Sequence, residues 1–274
     1  MSDAKVSDLL GVKPLGEAAN KAVSSVLDGC AALLGRICLP AAEEFGLGLR
    51  DRVAGWRARN LAAAAAAAER KLGASGGLEG LKAHPRLVRG FIDEASWVDD
   101  PDLQEMWGGL LASSCTEDGL DDSNVLFQDL LSGMTGLQAR VLRYACEHSQ
   151  KFVVEATRFA LADEYSVDSS VALSAFGVGD SDRLDRELDR LTASGLLSLG
   201  SGFPLASHGL VVVNLAPTTL GMHLYVRCQG SRESPVGYFK ITEIRKGSAV
   251  YQLANGVVWR PLVPEGGAVG PIGS

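Results

Sequence analysis

The sequence predicts a mainly α-helical protein, in which a helical domain is followed by a winged-helix-like α+β module and a small C-terminal β-meander. Three observations support this class. Apolar residues recur at the three-or-four spacing of a helix through the first half of the chain. A strongly helical run over residues 182–194 is followed by two short apolar runs on either side of a glycine-rich turn. After residue 236 polar and apolar residues alternate, as they do in strands.

Composition and charge narrow the class of protein further. The chain has 274 residues, of which 46% are hydrophobic and 22% are charged, as in an ordinary soluble globular protein. The formal net charge of −7 argues against a generally nucleic-acid-binding surface but leaves room for a local basic patch. The N-terminus lacks the apolar run of a secretory signal, and the most apolar window, residues 22–49, contains four charged residues and a proline. We therefore expect a cytoplasmic protein without a membrane span.

The cysteines and histidines give no pattern of a metal site. The five cysteines are widely spaced, no Cys-x-x-Cys pair occurs, and the chain has only four histidines. We expect the cysteines to be buried free thiols in a reducing compartment. The sequence predicts no metal and no cofactor.

The predicted helical domain spans residues 20–134, after a flexible lead-in over residues 1–19. Its first helix covers residues 20–39, Pro40 opens a second helix that runs to about Lys71, and a glycine-rich connector follows.

The second helix contains seven consecutive alanines, residues 62–68. Alanine has the highest helix propensity and needs little packing to remain helical, so we expect an exposed or lightly packed helix. The alternative is a close-packed seam with another helix or another copy of the chain, in which Ala65 is a candidate contact.

Two amphipathic helices then meet at the junction Asp99-Asp100-Pro101. Asp100 is a good N-cap, and Pro101 occupies the first helical position, where a missing N–H is tolerated. The first apolar stripe comprises Leu87, Val88, Phe91, Ile92, Ala95 and Val98, and the second comprises Leu103, Met106, Trp107, Leu110, Leu111 and Ser114. A short helix over residues 125–133 completes this domain.

The winged-helix-like module is predicted over residues 135–230. Its predicted elements are a helix over 135–148, one or two short helices within 151–176, a helix over 182–194, strands over 196–199 and 210–213, and a helix from Pro217. Gly195 suits the end of a helix, and Gly200-Ser201-Gly202 supplies the turn between the strands. Helices followed by a two-stranded wing and another helix are typical of a winged helix-turn-helix.

The predicted β-meander covers residues 236–263. Asn255-Gly256 lies between two β-rich runs and is a strong hairpin signal. Residues 264–274 are rich in glycine and proline, and we expect them to form a disordered tail.

Several of these segments together resemble the Abi-alpha family of bacterial proteins, which is linked to abortive-infection defence against phage. The segments that carry the resemblance are residues 40–46, His84-Pro85, Asp93-Glu94-Ala95, the run from Asp99 to Met106, Leu110-Leu111-Ala112-Ser113-Ser114, residues 188–199 and residues 215–228. The resemblance extends over about residues 40–230. It implies a role in phage defence, and it brings no catalytic residues to this chain.

The signature positions of this resemblance are interpreted as structural. They are Pro85, Asp93, Glu94, Asp99, Asp100, Pro101, Met106, Leu110, Leu111 and Ser113. The carboxylates among them form the densest acidic group in the chain, and paired carboxylates are able to hold Mg²⁺. Helix capping and the positive end of the helix dipole account for most of them, so we prefer the structural interpretation.

No catalytic residue is predicted, because the chain has neither a Gly-x-Ser-x-Gly nucleophile turn nor a phosphate-binding loop. The rival enzyme hypothesis is a metal-dependent nuclease that uses Asp93, Asp99 and Asp102. We expect the protein to act through self-association or a protein partner rather than through catalysis.

The predicted helix over residues 182–194 holds the recognition position of a winged helix. Its three arginines, Arg183, Arg186 and Arg190, share one face. Acidic residues at positions i−1 and i+3 favour surface ion pairs over contacts with DNA. Nucleic acid is therefore a possible but not a favoured partner. A DNA-binding transcriptional regulator is kept as the alternative function.

A second basic group lies in the preceding domain and consists of Arg50, Arg52, Arg57 and Arg59; of these, Arg52 and Arg59 share a helix face with Trp56. Tryptophan beside arginine is able to stack on a ligand or form a cation–π pair. We prefer a solvated face with Trp56 half-buried, and keep these residues as candidates for an interaction site.

Overall fold

A computed structural model of the chain describes residues 33–37, 54–74, 76–77, 79–155, 157–203, 211–246, 251–252 and 258–259. The helices are α1 (Ala54–Ala74), α2 (Pro85–Ala95), α3 (Pro101–Ser113), α4 (Val125–Ser132), α5 (Gly136–His148), α6 (Ser169–Phe176), α7 (Ser181–Ala193), α8 (Thr219–Cys228) and α9 (Pro235–Tyr238), and residues 33–37 are also helical. The strands are β1 (Lys82–Ala83), β2 (Cys115–Thr116), β3 (Lys151–Val154), β4 (Ala160–Ala162), β5 (Tyr165–Asp168), β6 (Val212–Leu215), β7 (Ile244–Arg245), β8 (Tyr251–Gln252) and β9 (Val258–Trp259). The mainly α class is confirmed.

Helix α3 lies at the centre of the core. From Met106 to Ser113 every residue of the helix is buried, and the Trp107 ring meets Phe91 of α2 edge-on at 6.5 Å between centroids. The predicted start is confirmed: Asp100 caps the helix by accepting hydrogen bonds from the backbone N–H groups of Asp102 and Leu103. A helix buried all round is the expected centre of a helical core.

Two adjacent glycines let α3 approach a helix on each side. A Cβ at Gly108 would lie 2.5 Å from the Ala64 carbonyl oxygen of α1, and a Cβ at Gly109 would lie 1.6 Å from the Cys228 carbonyl oxygen of α8. Both distances are far below a van der Waals contact, so neither position accommodates a side chain. We call these two contacts, of α3 with α1 and with α8, the α3 seam.

The expectation that the alanine run lies on an exposed or lightly packed helix is wrong. Ala62, Ala64, Ala65, Ala67 and Ala68 are buried, with Ala65 only 2% exposed. Alanine is both a strong helix former and small enough for close packing, and α3 offers the glycine surface that completes such a seam. The close-packed alternative is therefore correct, and Ala65 is buried in the interior of the protein.

After α5 the chain forms three strands where short helices were predicted. Residues 151–154, 160–162 and 165–168 are strands, and only Ser169–Phe176 within this region is helical. The strand character has a local cause, because Phe152, Val153 and Val154 suit a strand and Tyr165 and Val167 alternate with polar residues.

Strand β6 pairs antiparallel with β5, from Tyr165 opposite Leu215 to Asp168 opposite Val212. Residues 197–203 run beside β6 and the residues after it, with isolated bridges from Leu197 to Pro217 and from Gly202 to Asn214, and they form no regular strand. The predicted strand over 196–199 is thus reduced to an isolated bridge, and the returning strand is displaced to Val212–Leu215. The predicted helix ended by Gly195 is confirmed, with Gly195 in a left-handed conformation at φ +72°.

The segment after α8 differs from the predicted meander. Ser234 caps a short helix that begins with Pro235, so the predicted alternation over residues 238–243 does not form a strand. Strand β7 pairs parallel with β3, while β8 and β9 pair antiparallel on either side of residues 253–257. Asn255-Gly256, the lead-in over 1–19 and the tail over 264–274 lie outside the described residues.

Candidate functional site

The acidic junction before α3 is held by two arginines of α5. The Asp100 carboxylate, which caps α3, also accepts a hydrogen bond of 3.2 Å from Arg140. Asp102 is bound by Arg140 at 3.3 Å and by Arg143 at 2.6 Å. Arg140 further donates to the Phe176 carbonyl oxygen at the end of α6, which links α3, α5 and α6 at one point. These carboxylates therefore join helices.

The other acidic residues of the signature are spread over separate partners. Asp93 pairs with Arg89 of its own helix at 3.5 Å, and Asp99 and Glu94 are exposed. Glu105 of the same region pairs with Arg70 of α1. Within the described part of the chain, no three histidine, cysteine or carboxylate side chains are placed to hold a metal ion.

The apolar signature residues belong to the core. Leu110, Leu111 and Met106 are at most 8% exposed. Ser113 donates its hydroxyl to the Leu110 carbonyl oxygen and accepts a hydrogen bond from the Asn124 side chain. Pro85 begins α2, with His84 as its N-cap. Their structure supports the structural interpretation that the sequence suggested.

The basic group around Trp56 is arranged differently from the prediction. Trp56 packs against Trp97 with centroids 6.1 Å apart, and the guanidinium over the Trp97 ring is that of Arg57, at 4.4 Å. Arg59 is exposed, and Arg52 lies outside the described residues. Arg57 also donates to the Ser96 hydroxyl, so this cation is fixed between the start of α1 and the end of α2.

A cavity of about 160 Å³ opens between α1, α3, α5 and α8. Its polar lining residues are Lys71, Asp102, Glu105, Arg143, Glu147, Tyr225 and Gln229. Tyr225 donates to Glu147 at 3.1 Å, Arg143 binds Asp102, and Lys71 lies 3.9 Å from Glu105. Burial lowers the pKa of Lys71 and raises the pKa of Tyr225. Since these groups bind one another across the helices, they support a structural role for the cavity lining.

Three cysteines are buried free thiols, as predicted. Burial raises the pKa of Cys115 to about 12 and raises the pKa of Cys146 and Cys228 as well. A thiol with a raised pKa carries little of the reactive thiolate at neutral pH. Cys30 and Cys38 lie outside the described residues.

Helix α7 presents two charged flanks to solvent. Leu184, Leu188 and Leu191 are buried and form the core face of the helix. The arginine flank consists of Arg183, Arg186 and Arg190, and the aspartate flank consists of Asp182, Asp185 and Asp189. Each flank follows the spacing i, i+3, i+7, and the one-residue offset between them turns the flanks about 100° apart around the helix.

The predicted ion pairs on this helix are absent. All three residues of the arginine flank are exposed, and no carboxylate of the described chain lies within 4.0 Å of their guanidinium groups. Asp182 and Arg186 have the i,i+4 spacing, and Arg186 and Asp189 have the i,i+3 spacing, so the helix permits such pairs without requiring them. Among the predicted interaction residues, Arg52 lies outside the described residues and Ala65 is buried. All three members of the arginine flank are described and exposed to solvent.

Sequence reasoning missed the long-range partners at these sites. Arg140 and Arg143 reach Asp100 and Asp102 from about 40 positions along the chain, and Trp97 meets Trp56 from a similar separation. The available signal was the Arg-x-x-Arg spacing of Arg140 and Arg143, which places both on one face of α5. The spacing of residues within α5 does not identify the carboxylates that bind these arginines.

Comparison with known proteins identifies one family. The family model described as abortive infection alpha matches residues 57–213, a narrower span than the resemblance predicted from about 40 to 230. No curated protein and no solved structure gave a match. In the described residues no helix is both long and apolar enough to cross a membrane. Because the family model covers more than half of the 274 residues, the chain belongs to the abortive infection alpha family.

Proposed function

We propose that this protein acts in abortive-infection defence against phage as a binding protein in the cytoplasm, through self-association or a protein partner rather than through catalysis. The observation that carries the proposal is the family match, which spans α2 to α7 and most of α1 and ends within β6. The acidic junction supports the non-catalytic part, because its carboxylates cap α3 and bind Arg140 and Arg143.

The module over residues 135–230 is proposed to be a winged helix that follows a helical domain over residues 20–134. Its element order is α5, β3, β4, β5, α6, α7, the bridged residues 197–203, β6 and α8, and the part from β5 to β6 is that expected of a winged helix. Helix α6 ends at Gly177, whose left-handed conformation at φ +67° begins a four-residue turn to α7. Such a short glycine-containing turn supports a helix-turn-helix pair. Strand β7 pairs with β3 of this module, so we treat the segment over 236–263 as an extension of it.

A plating experiment tests the proposed function. The gene is expressed in a phage-sensitive bacterial host, and plaque counts are compared with those of a host that carries an empty vector. We expect fewer plaques together with arrested growth of infected cells. Unchanged plaque counts across a broad phage panel, at confirmed expression, would contradict the defence role.

A second measurement tests the non-catalytic part. Purified protein is incubated with Mg²⁺ or Mn²⁺ and with single-stranded and duplex nucleic acid, and we expect no degradation. Degradation that is lost in Asp99→Ala would favour the nuclease alternative.

A further inference from the structure

We infer that helix α7 is a docking site for duplex DNA, which it contacts through phosphates on its arginine flank. The inference rests on the winged-helix interpretation proposed above and goes beyond it by naming the surface and its ligand. Two independent observations support it: the place of α7 in the fold, and the state of its arginines.

The first observation is the position of α7. It is the second helix of the pair joined by the turn over residues 177–180, and it buries Leu184, Leu188 and Leu191 against the core. In helix-turn-helix folds the second helix is the one presented to the DNA groove, while the first helix supports it. The solvent side of α7, which the arginine and aspartate flanks share, therefore points where a duplex docks.

The second observation is the unpaired charge on the arginine half of that side. Arg183, Arg186 and Arg190 are exposed and lie beyond 4.0 Å from every described carboxylate, although acidic residues are abundant on the same helix. The Arg190 guanidinium lies 3.8 Å from the position that a Cβ of Gly133 would occupy, beside the end of α4. Three guanidinium groups at i, i+3 and i+7 form a row along the helix, and arginine binds phosphate oxygens with two parallel donors.

The acidic residues of α7 decide the orientation of the duplex. Asp180 is engaged in capping its own helix, where it accepts from the Asp182 backbone N–H at 3.0 Å. Glu187 accepts hydrogen bonds from Thr135 at 3.1 Å and from Gln138 at 2.6 Å. The aspartate flank lies about 100° away from the arginine flank around the helix, so it repels a duplex most strongly on its own side. The DNA therefore lies along the arginine flank and is bound through its backbone, without reading of base sequence.

Salt dependence identifies this kind of contact. Each phosphate that the protein neutralises releases a bound counterion and contributes about 0.9 to the slope of log K against log salt concentration. Three arginines thus contribute a slope of roughly 2.7, and affinity falls steeply as salt rises. An affinity in the micromolar range is expected of such sequence-independent binding.

The test is a fluorescence anisotropy titration of the full-length protein against an end-labelled 20-base-pair duplex at 50 and 200 mM salt. The variant Arg183→Gln/Arg186→Gln/Arg190→Gln is compared with the matched variant Asp182→Asn/Asp185→Asn/Asp189→Asn on the other flank. We expect the arginine variant to weaken binding at 50 mM salt at least tenfold and to lose most of the salt slope. The aspartate variant should bind as tightly as the wild type or more tightly.

Each other result overturns the inference. The inference is wrong if the wild-type protein does not bind the duplex at 50 mM salt. It is also wrong if the arginine variant binds the duplex as tightly as the wild type. Labelled polyglutamate is the second probe, and tighter binding of polyglutamate than of the duplex would assign the flank to an acidic protein partner. Circular dichroism and thermal midpoints check that both variants are folded. The titration uses no phage, so its failure is separate from failure of the defence function.

Discussion

The α3 seam and the exposed side of α7 show two opposite uses of helix surface. At the seam, Gly108 and Gly109 remove every side-chain atom, and the backbones of α1 and α8 come close enough that a single Cβ would collide. On α7 the outward positions carry long charged side chains, and the arginine flank has no carboxylate partner among the residues that the structure describes. The smallest residues thus fix the fold, while charged residues that the described fold leaves unpaired remain for a partner.

Ala65→Glu should cause the largest loss of stability, because it disrupts the contact of α1 with α3. The substitution places a charged side chain where the wild-type residue is 2% exposed, in a helix packed against α3. An unpaired buried charge costs roughly 3–5 kcal/mol of unfolding free energy. Chemical denaturation measures the loss.

Ala66→Glu is the matched control, because Ala66 is the neighbouring alanine and is exposed. It should change the unfolding free energy by less than about 0.5 kcal/mol. Equal effects of the two variants would contradict the burial of the alanine run.

Gly109→Ala should be the next largest effect. Its Cβ would lie 1.6 Å from the Cys228 carbonyl oxygen, so α3 and α8 must separate at a destabilisation of about 3 kcal/mol. Gly73→Ala in α1 is the control, since nothing lies within 4 Å of a Cβ at that position. Alanine there should leave the thermal midpoint unchanged or raise it, because alanine favours helix over glycine. A Gly109→Ala protein as stable as wild type would refute the close approach.

Asp100→Ala tests the polar joint that holds α3 to α5. The variant loses the N-cap of α3 and the contact with Arg140, and we expect a destabilisation of about 1–2 kcal/mol. Asp99→Ala, at the exposed neighbouring carboxylate, should lie within about 0.5 kcal/mol of wild type. Urea unfolding compares the two, and a larger loss in Asp99→Ala than in Asp100→Ala would contradict the assigned roles.

Neutralising the arginine flank should have the smallest effect on stability. Because these side chains are exposed and make no ion pair within the described chain, their replacement by glutamine should change the unfolding free energy by less than about 0.5 kcal/mol. Calorimetry checks this value. A large loss of stability would mean that the arginines serve the fold after all.

Local signals in the sequence were sufficient for α2, α3 and α7. Asp100-Pro101 marks a helix start by chemistry contained within three residues, and the leucines of α7 mark its buried face by spacing alone. The burial of the alanine run was not predictable from that run, because alanine suits an exposed helix and a close-packed one equally. The informative signal was Gly108-Gly109 inside a helical pattern, which indicates close approach of another backbone.

The candidate surfaces depended on tertiary contacts that spacing cannot supply. Arg57 rather than Arg59 lies over an aromatic ring, because Trp97, which follows the end of α2, lies beside the start of α1. On α7 the predicted ion pairs are absent although Asp182 and Arg186 have the i,i+4 spacing, because that spacing permits a pair without requiring it. The three strands after α5 were missed although Tyr165 and Val167 carry a period of two, because the runs are only three or four residues long.

Phage plating with the two α7 variants at matched expression decides whether the protein protects its host through the arginine flank of α7. We expect the wild type and the aspartate-flank variant to lower plaque counts, and the arginine-flank variant, folded and equally abundant, to lose this protection. An arginine-flank variant that protects as fully as the wild type would show that the protein does not act in defence through this surface.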